Sequence, residues 1–289
     1  MLLACYCGLT LVASLAGGWI PLWLRLTHTR LQVATSFVAG MMLGIAVLHL
    51  LPHAAAAFRS TERTAAWLLG GFVFMFFIQR FFHFHHHDVP DEAPEREPAE
   101  PDEEHCHHDH TLAHKSARQL SWGGAALGLT LHSFIDGVAL AASVAAEHHT
   151  HQEWMLGFGT FLVVILHKPF DAMAIGTLMA AGGWSRTSRH WINVAFALAI
   201  PLGVLGFYFG AAHFTAGSSH FLAAALAFTS GTFLCIAASD LLPELQFHSH
   251  DRIKLSLALL TGLILAAGIA KLEREGHEHD RGEKVQAGH

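Results

Sequence analysis

The feature that most constrains this chain is a series of apolar segments, each about 20 residues long and separated by charged or turn-rich stretches. A segment of this length spans a bilayer as a helix, and the sequence lacks the period-two alternation of a membrane β-barrel. Only 14% of the residues are charged, which argues against a soluble globular fold. We predict eight helical spans, at residues 2–24, 32–53, 65–82, 120–146, 153–181, 190–212, 219–243 and 254–272.

The basic residues of the short loops predict the orientation of these spans. With the N-terminus outside, the inner loops hold most of the loop arginines and lysines, and the outer loops hold Arg59 and Arg63. Because basic residues favour the cytoplasmic side, we expect both termini to lie outside the cytoplasm of a cell (inner) membrane. No basic cluster indicates nucleic acid as a partner.

Two of the predicted spans carry a histidine and an aspartate four residues apart. Span four contains His132 and Asp136, and span five contains His167 and Asp171. On a helix this spacing puts both side chains on one face, with Cβ atoms about 5–6 Å apart. An ionisable residue inside a span costs about 3 kcal/mol on insertion scales and is therefore a functional candidate. Two facing helices would offer two imidazoles and two carboxylates to one ion, which suits Zn²⁺ and also Cd²⁺, Fe²⁺ or Mn²⁺.

A short repeat relates spans two and seven. Span two ends in HLLPH at residues 49–53, and span seven ends in DLLPE at residues 240–244. Under the predicted orientation the two spans run in opposite directions, as in the inverted repeats of secondary transporters. The prolines could also simply end their helices. The polar positions of the repeat are candidates for an ion pathway on the two sides of the membrane: His49, His53, Asp240 and Glu244.

A histidine-rich, acidic stretch separates spans three and four. Its composition cannot bury a core, so we predict a disordered cytoplasmic loop at residues 83–118. We expect weak, exchangeable metal binding there, with a plain solvated linker as the alternative. The expected loop ligands are His83, His85, His86, His87, His105, Cys106, His107, His108 and His110. The chain then divides into residues 1–82 with spans one to three, the loop, residues 119–272 with spans four to eight, and a histidine-containing tail at 273–289.

Together these features resemble the ZIP (Zrt-, Irt-like) family of divalent metal transporters. The resemblance rests on the eight spans, the outside termini, the histidine-rich inner loop and His-Ser-x-x-Asp-Gly at residues 132–137, and it covers nearly the whole chain. It implies an all-α membrane fold in which an inverted repeat of spans one to three and six to eight surrounds the central pair, four and five. It also implies metal uptake into the cytosol through spans two, four, five and seven, with one block of helices sliding against another as in an elevator.

The chain departs from the family at the position of a second metal. Some ZIP proteins bind that metal with the residue after each ligating histidine and with an acid from span six. Here those residues are Ser133 and Lys168, and span six has no acid. Because an ammonium group would repel a second cation, we expect a single metal in the four-ligand site. The lysine could also be neutral through desolvation.

Other functions use the same residue types. A cation-diffusion exporter also has His-x-x-x-Asp pairs, but it has six spans and a cytosolic C-terminal domain. An intramembrane zinc hydrolase would need an open coordination position and a general base. A storage protein would bind metal in the loop and would tolerate the loss of His132 and Asp171. We expect a transporter and not an enzyme, with the metal ion as substrate, the lipid bilayer as partner and a homodimer as a further candidate assembly.

Overall fold

The computed structural model describes residues 1–18, 28–82, 110–147, 156–213, 218–247 and 252–287. Every regular element among these residues is helical. Among the described residues, seven helical segments are long and apolar enough to cross a membrane. This part of the chain is therefore all-helical and has the build of a multi-pass membrane protein. The helices, numbered in chain order, are α1 (Leu2–Gly17), α2 (His28–Ile45), a π-helical turn (Ala46–Leu50), α3 (Leu51–Phe58), α4 (Thr61–Phe82), α5 (His110–Glu147), α6 (Phe158–Ala181), α7 (Arg186–Ala197), α8 (Ala199–His213), α9 (Ser218–Phe247) and α10 (Arg252–Ala287).

Predicted spans two to eight correspond to the seven segments of spanning length. The sixth predicted span corresponds to a segment of 28 residues that combines α7 and α8. The first predicted span corresponds to α1, whose 16 residues reach about 24 Å, against a hydrocarbon core of about 30 Å. The rest of that predicted span, residues 19–24, lies outside the described residues. A total of eight spans therefore stays a prediction.

Two helices extend at least ten residues beyond the predicted spans. Helix α5 begins at His110, inside the stretch that we predicted as a loop, and continues to Glu147. Helix α10 runs to Ala287 and includes most of the predicted tail. Both extensions are polar, whereas the spanning parts recognised by their hydropathy are Ala126–Glu147 and Arg252–Leu272. Hydropathy alone marks the apolar part of a helix and not the helix end.

The helices pack as two bundles. In the first, α5 packs against α8 and α6 against α1, with α7 contacting α6 and α1. We call this set, α1 and α5–α8, the site bundle. In the second, α2 packs against α10 and α4 against α9, and α9 also contacts α2 and α3. We call this set, α2–α4, α9 and α10, the flanking bundle. The bundles meet chiefly where α5 contacts α9 and α4, and where α2 contacts α6.

Close backbone approach fixes α5 against α8 in the site bundle. A Cβ atom on Gly137 of α5 would collide with the carbonyl of Ile200, and one on Gly203 of α8 would collide with the carbonyl of Phe134. Small residues at such crossings allow membrane helices to pack backbone against backbone. Gly137 follows Asp136 directly, so this crossing also holds the carboxylate in position.

The second predicted span contains a π-helical turn at Ala46–Leu50, just before Pro52. The Leu51 N–H donates to the Ala46 carbonyl, five residues earlier. The Ser230 hydroxyl of α9 donates to the same carbonyl at 2.8 Å. Such turns are frequent at functional sites, and this one carries His49.

Candidate metal centre

The structure brings together the two histidine–aspartate pairs of the central helices. Helix α5 supplies His132 and Asp136, and α6 supplies His167 and Asp171. One ligand atom from each side chain lies within 4.8 Å of the other three. The helical spacing puts each pair on one face, and the packing of α5 against α6 turns the two faces toward each other. We call these four residues the central cluster.

The nitrogen–oxygen distances within the central cluster are compatible with one bound metal ion. Asp136 Oδ2 lies 3.2 Å from His167 Nε2 and 3.5 Å from His132 Nε2. Asp171 Oδ2 lies 3.8 Å from each of the same two nitrogens. Nitrogen and oxygen ligands about 2.1 Å from a tetrahedral zinc ion are themselves about 3.4 Å apart. The four ligand atoms therefore surround a space of the right size for one such ion.

The remaining polar atoms of the central cluster also fit a cation. His167 Nδ1 lies 2.8 Å from the Val163 carbonyl, and Nε2 lies 3.2 Å from Asp136 Oδ2. In the tautomer that donates Nδ1–H to this carbonyl, the Nε2 lone pair is available to a cation held between the ring and the carboxylates. His132 Nδ1 and Asp136 Oδ1 are buried without a hydrogen-bond partner among the described residues. Buried polar atoms are rarely left in this state, so a bound ion or water would complete their environment. Asp171, with a side chain 16% exposed, is the most accessible member.

A buried lysine side chain lies beside the central cluster. Lys168 Nζ donates a hydrogen bond to the Ser133 hydroxyl and lies 3.9 Å from Asp171 Oδ2. It also lies 4.2 Å from the ring centroid of Phe196, on α7. A cation over an aromatic face is stabilised by the quadrupole of the ring. Span six, which supplies no acid, thus supplies an aromatic contact to the lysine.

A second group of ligand residues lies where the two bundles meet. It contains His49 of the π-helical turn, His53 of α3 and Glu147 at the end of α5, with one ligand atom from each within 4.8 Å of the other two. We call it the junction cluster. His49 Nε2 is 3.0 Å from Glu147 Oε1. The sequence reasoning selected the two histidines and missed Glu147. A signal was present, since Glu147 follows Asp136 by about three helical turns and therefore lies on the same face of α5.

The other predicted site residues lie where the structure gives no side-chain contacts. Asp240 and Glu244 belong to α9, and no geometry is described for their side chains. His110 is the first residue of α5, also without a described side chain. The predicted loop ligands that lie outside the described residues are His83, His85, His86, His87, His105, Cys106, His107 and His108. Metal binding by all of these residues stays a prediction.

Known proteins resemble this chain over most of its length. A family model described as "ZIP Zinc transporter" matches residues 2–270. Zinc transporter ZIP9-B of Xenopus laevis is 24% identical, over 93% of this chain and 95% of its own length. Zinc transporter ZIP13 of Mus musculus is 27% identical, over 89% of this chain and 72% of its own length. Zinc transporter ZIP9 of Macaca fascicularis is 28% identical, over 53% of this chain and 67% of its own length. The region matched by the family model contains both the central cluster and the junction cluster.

Proposed function

Because this chain belongs to the ZIP zinc transporter family, we propose that it carries a divalent metal ion, zinc first, across a cell membrane through the central cluster. The observation that carries the proposal is the convergence of two imidazoles and two carboxylates, from two packed helices, within 4.8 Å. Two carboxylates neutralise the charge of one divalent ion, which makes a site deep in the protein tolerable for it. Family membership identifies the chain as a transporter and not as an intramembrane hydrolase.

Zinc is the proposed substrate for two reasons. The relatives are named as zinc transporters, and a mixed set of imidazole and carboxylate ligands at tetrahedral separations suits Zn²⁺. Such ligands discriminate poorly among divalent metals, so Cd²⁺, Fe²⁺ and Mn²⁺ are proposed as competing substrates. The distribution of basic residues supports a chain with both termini outside. The proposed direction, uptake into the cytosol, is the one that the resemblance to ZIP proteins implies.

The proposed motion is a sliding of the site bundle against the flanking bundle, as in an elevator. All four residues of the central cluster belong to the site bundle, so the ion can move with that bundle as one body. The strongest helix pairings lie within each bundle, between α5 and α8 and between α2 and α10. An interface that contains fewer close backbone contacts than the bundles themselves is the natural surface for such a shear.

An inverted repeat would explain how two alternate states arise. The packing of α2 on α10 and of α4 on α9 is the pairing expected if spans two and three are repeated as spans seven and eight. The close backbone contacts show the same pairing of helices. A Cβ atom on any of four glycines would collide with a backbone carbonyl of the paired helix: Gly40 and Gly262 in the first pair, Gly231 and Gly71 in the second. Gly40 and Gly231 are separated along the chain by the same number of residues as the two Leu-Leu-Pro sequences, and so are Gly71 and Gly262. This agreement supports the repeat.

The polar residues of the repeat define the proposed pathway. We assign His49 and His53 to the outer side of the central cluster, and Asp240 and Glu244 to the inner side. Ser133 and Lys168 lie beside the central cluster and keep it mononuclear, because the buried ammonium occupies the space beside Asp171. The histidine-rich segment before α5 is proposed to hold metal weakly on the cytosolic side.

The test is uptake of radioactive zinc into proteoliposomes by the full chain. His167→Ala removes one of four ligands and should lower uptake at least 100-fold, since even losing an outer partner of a ligand costs about 10–100-fold. His213→Ala, at an exposed histidine of α8, is the matched control and should transport like the wild type. Unlabelled Cd²⁺, Fe²⁺ and Mn²⁺ should each reduce the signal. Wild-type uptake by His167→Ala would contradict the proposed site, and no accumulation by the wild type would contradict transport.

A further inference from the structure

We propose that the junction cluster, His49, His53 and Glu147, is a second binding site for a divalent cation of the zinc class, and that the bound ion ties the two bundles together. His49 and His53 belong to the flanking bundle, whereas Glu147 belongs to the site bundle. The ion would therefore take ligands from both. The binding itself stands on geometry alone, and the consequence for transport rests on the sliding motion proposed above.

The ligand geometry of the junction cluster matches a metal site with three protein ligands. His49 Nε2 and Glu147 Oε1 are 3.0 Å apart, close to the separation of about 3.4 Å between ligands of one tetrahedral zinc ion. The rings of His49 and His53 have centroids 4.9 Å apart and an interplanar angle of 66°, so their edges can converge without stacking. Two histidines and one glutamate leave the fourth position to water, a common arrangement for zinc.

The surroundings hold these ligands in place. His49 and Glu147 are buried, at 2% and 4% exposure. Glu147 Oε2 accepts a hydrogen bond from the Gly157 N–H at 2.8 Å, which fixes the carboxylate and leaves Oε1 directed at His49. The Ser143 hydroxyl, 2.9 Å from the Thr160 hydroxyl, lies 3.4 Å from His49 Nε2, the nitrogen that also faces Glu147, so a bound ion would replace this contact. A ligand carboxylate whose second oxygen is hydrogen-bonded, as in Glu147, is typical of metal sites.

The backbone conformation of Gly157 supports the orientation of the Glu147 carboxylate. Gly157 has a φ of 67°, in the left-handed region, and a Cβ atom there would collide with Val144. The turn before α6 can therefore direct its N–H at Glu147 only with glycine at this position. A substitution at Gly157 would move the hydrogen bond that orients the carboxylate.

The junction cluster is separate from the central cluster. Along α5, Glu147 lies about three turns beyond Asp136, which corresponds to roughly 16 Å. An ion in one cluster therefore shares no ligand with an ion in the other. The charges differ as well, because the junction cluster has one carboxylate and the central cluster has two. Since a divalent ion is neutralised less fully by one carboxylate, the junction cluster should bind more weakly and fill at higher metal concentration.

A weaker site that bridges the two bundles would inhibit transport at high zinc concentration, an effect that we call the brake. When the ion binds ligands from both bundles, it stabilises the relative position seen here over any other, by its differential affinity for that state. Uptake should therefore rise with external zinc as the central cluster fills and then fall as the junction cluster fills. A carrier with the central cluster alone would reach a plateau without the fall.

The experiment counts zinc by equilibrium dialysis on the purified full chain. Glu147→Gln keeps an acceptor for the Gly157 N–H but loses the charged ligand, so it should lose one weak zinc equivalent, with affinity lowered at least 10-fold, and keep the tight one. Asp136→Asn should show the opposite loss. His213→Ala serves as the control for a surface histidine and should keep both. If Glu147→Gln fails to fold, His53→Gln, whose ring is only partly buried, gives the same readout.

Transport provides the second readout, as the ratio of uptake at high zinc to uptake at its maximum. The ratio should fall several-fold below one in the wild type and remain near one in Glu147→Gln. Unchanged zinc counts in both Glu147→Gln and His53→Gln would overturn the site. Loss of the weak equivalent without any fall in wild-type uptake would overturn the brake. Failure of the proposed function would appear differently, as uptake that does not respond to His167→Ala.

Discussion

The ammonium group of Lys168 on α6 donates a hydrogen bond to the hydroxyl of Ser133 on α5. Each of these residues directly follows a histidine of the central cluster, His132 on α5 and His167 on α6. The contact therefore lies where the resemblance to ZIP proteins would place a second metal. The buried lysine side chain occupies that position, with its Nζ 4.2 Å from the centroid of the Phe196 ring and 3.9 Å from Asp171 Oδ2, and both contacts favour its charged form.

Replacing Lys168 by an acid should open the second position. In Lys168→Asp the fixed positive charge disappears and a carboxylate ligand appears beside Asp171, so the chain should gain one tight zinc equivalent over the wild type. Lys168→Met removes the charge without adding a ligand and should gain none. Equilibrium dialysis with both variants distinguishes ligand from charge. An unchanged count in Lys168→Asp would mean that the lysine does not keep the site mononuclear.

The two aspartates of the central cluster should differ in importance. Asp136 is fully buried and its Oδ2 approaches both histidines, at 3.2 and 3.5 Å, whereas Asp171 is partly exposed and lies 3.8 Å from each. We expect both Asp136→Asn and Asp171→Asn to weaken zinc binding by more than the roughly 10-fold that the loss of an outer partner costs, and the loss to be about 10-fold larger for Asp136→Asn. Zinc titration of the two variants in detergent measures the difference. The reverse order would show that access through Asp171 matters more than the central position of Asp136.

The central cluster could be predicted because its information is local. A histidine and an aspartate four residues apart lie on one helix face whatever the tertiary structure, so each pair needs only a helix to form. A charged residue inside an apolar segment also stands out in the sequence. The remaining step, the meeting of α5 and α6, required only that two such faces bury their polar groups together.

The junction cluster could be predicted only in part, because its information is not local. His49 and Glu147 come from spans two and four, and no pattern within either span indicates that these two helix ends meet. Glu147 is also the last residue of an apolar segment, where an acid is ordinarily a residue at the membrane surface. The division into two bundles could not be predicted from the sequence for the same reason, since hydropathy identifies spans and not which spans pack together.

Alanine substitutions at two adjacent glycines of α4 should have different effects on the stability of the protein. A Cβ atom on Gly71 would collide with the Phe228 carbonyl of α9, whereas nothing lies within 4 Å of a Cβ atom on Gly70. Gly71→Ala should therefore destabilise the protein by about 1–3 kcal/mol, the usual cost of overpacking. Gly70→Ala should be neutral or stabilise by up to about 1 kcal/mol, because alanine favours helix. Thermal unfolding in detergent measures both. Equal melting temperatures would contradict the close packing of α4 on α9.

The sliding of the bundles can be tested by cross-linking pairs of side chains that contact each other. His49 Nε2 and the Ser143 hydroxyl are 3.4 Å apart and lie on opposite sides of the junction between the bundles. With cysteines at both positions and the native cysteines replaced, a short thiol cross-linker that can be cleaved by a reductant should hold the bundles together. Uptake should stop almost completely, and it should return when the linker is cleaved in the same vesicles.

The control for this prediction is a cross-link of similar length inside one bundle. Cys235 Sγ of α9 lies 3.4 Å from Gln79 Oε1 of α4, and both helices belong to the flanking bundle. Gln79→Cys with Cys235 retained should cross-link with little effect on uptake, because a rigid body is not altered by a link within it. Each variant is compared with itself before and after cleavage, so any direct effect of its substitutions cancels. If both cross-links stop uptake, helices of the flanking bundle must also move against one another. If neither cross-link stops uptake, the ion crosses without relative motion of the two bundles. That result would contradict the elevator mechanism and indicate a fixed pathway through the junction.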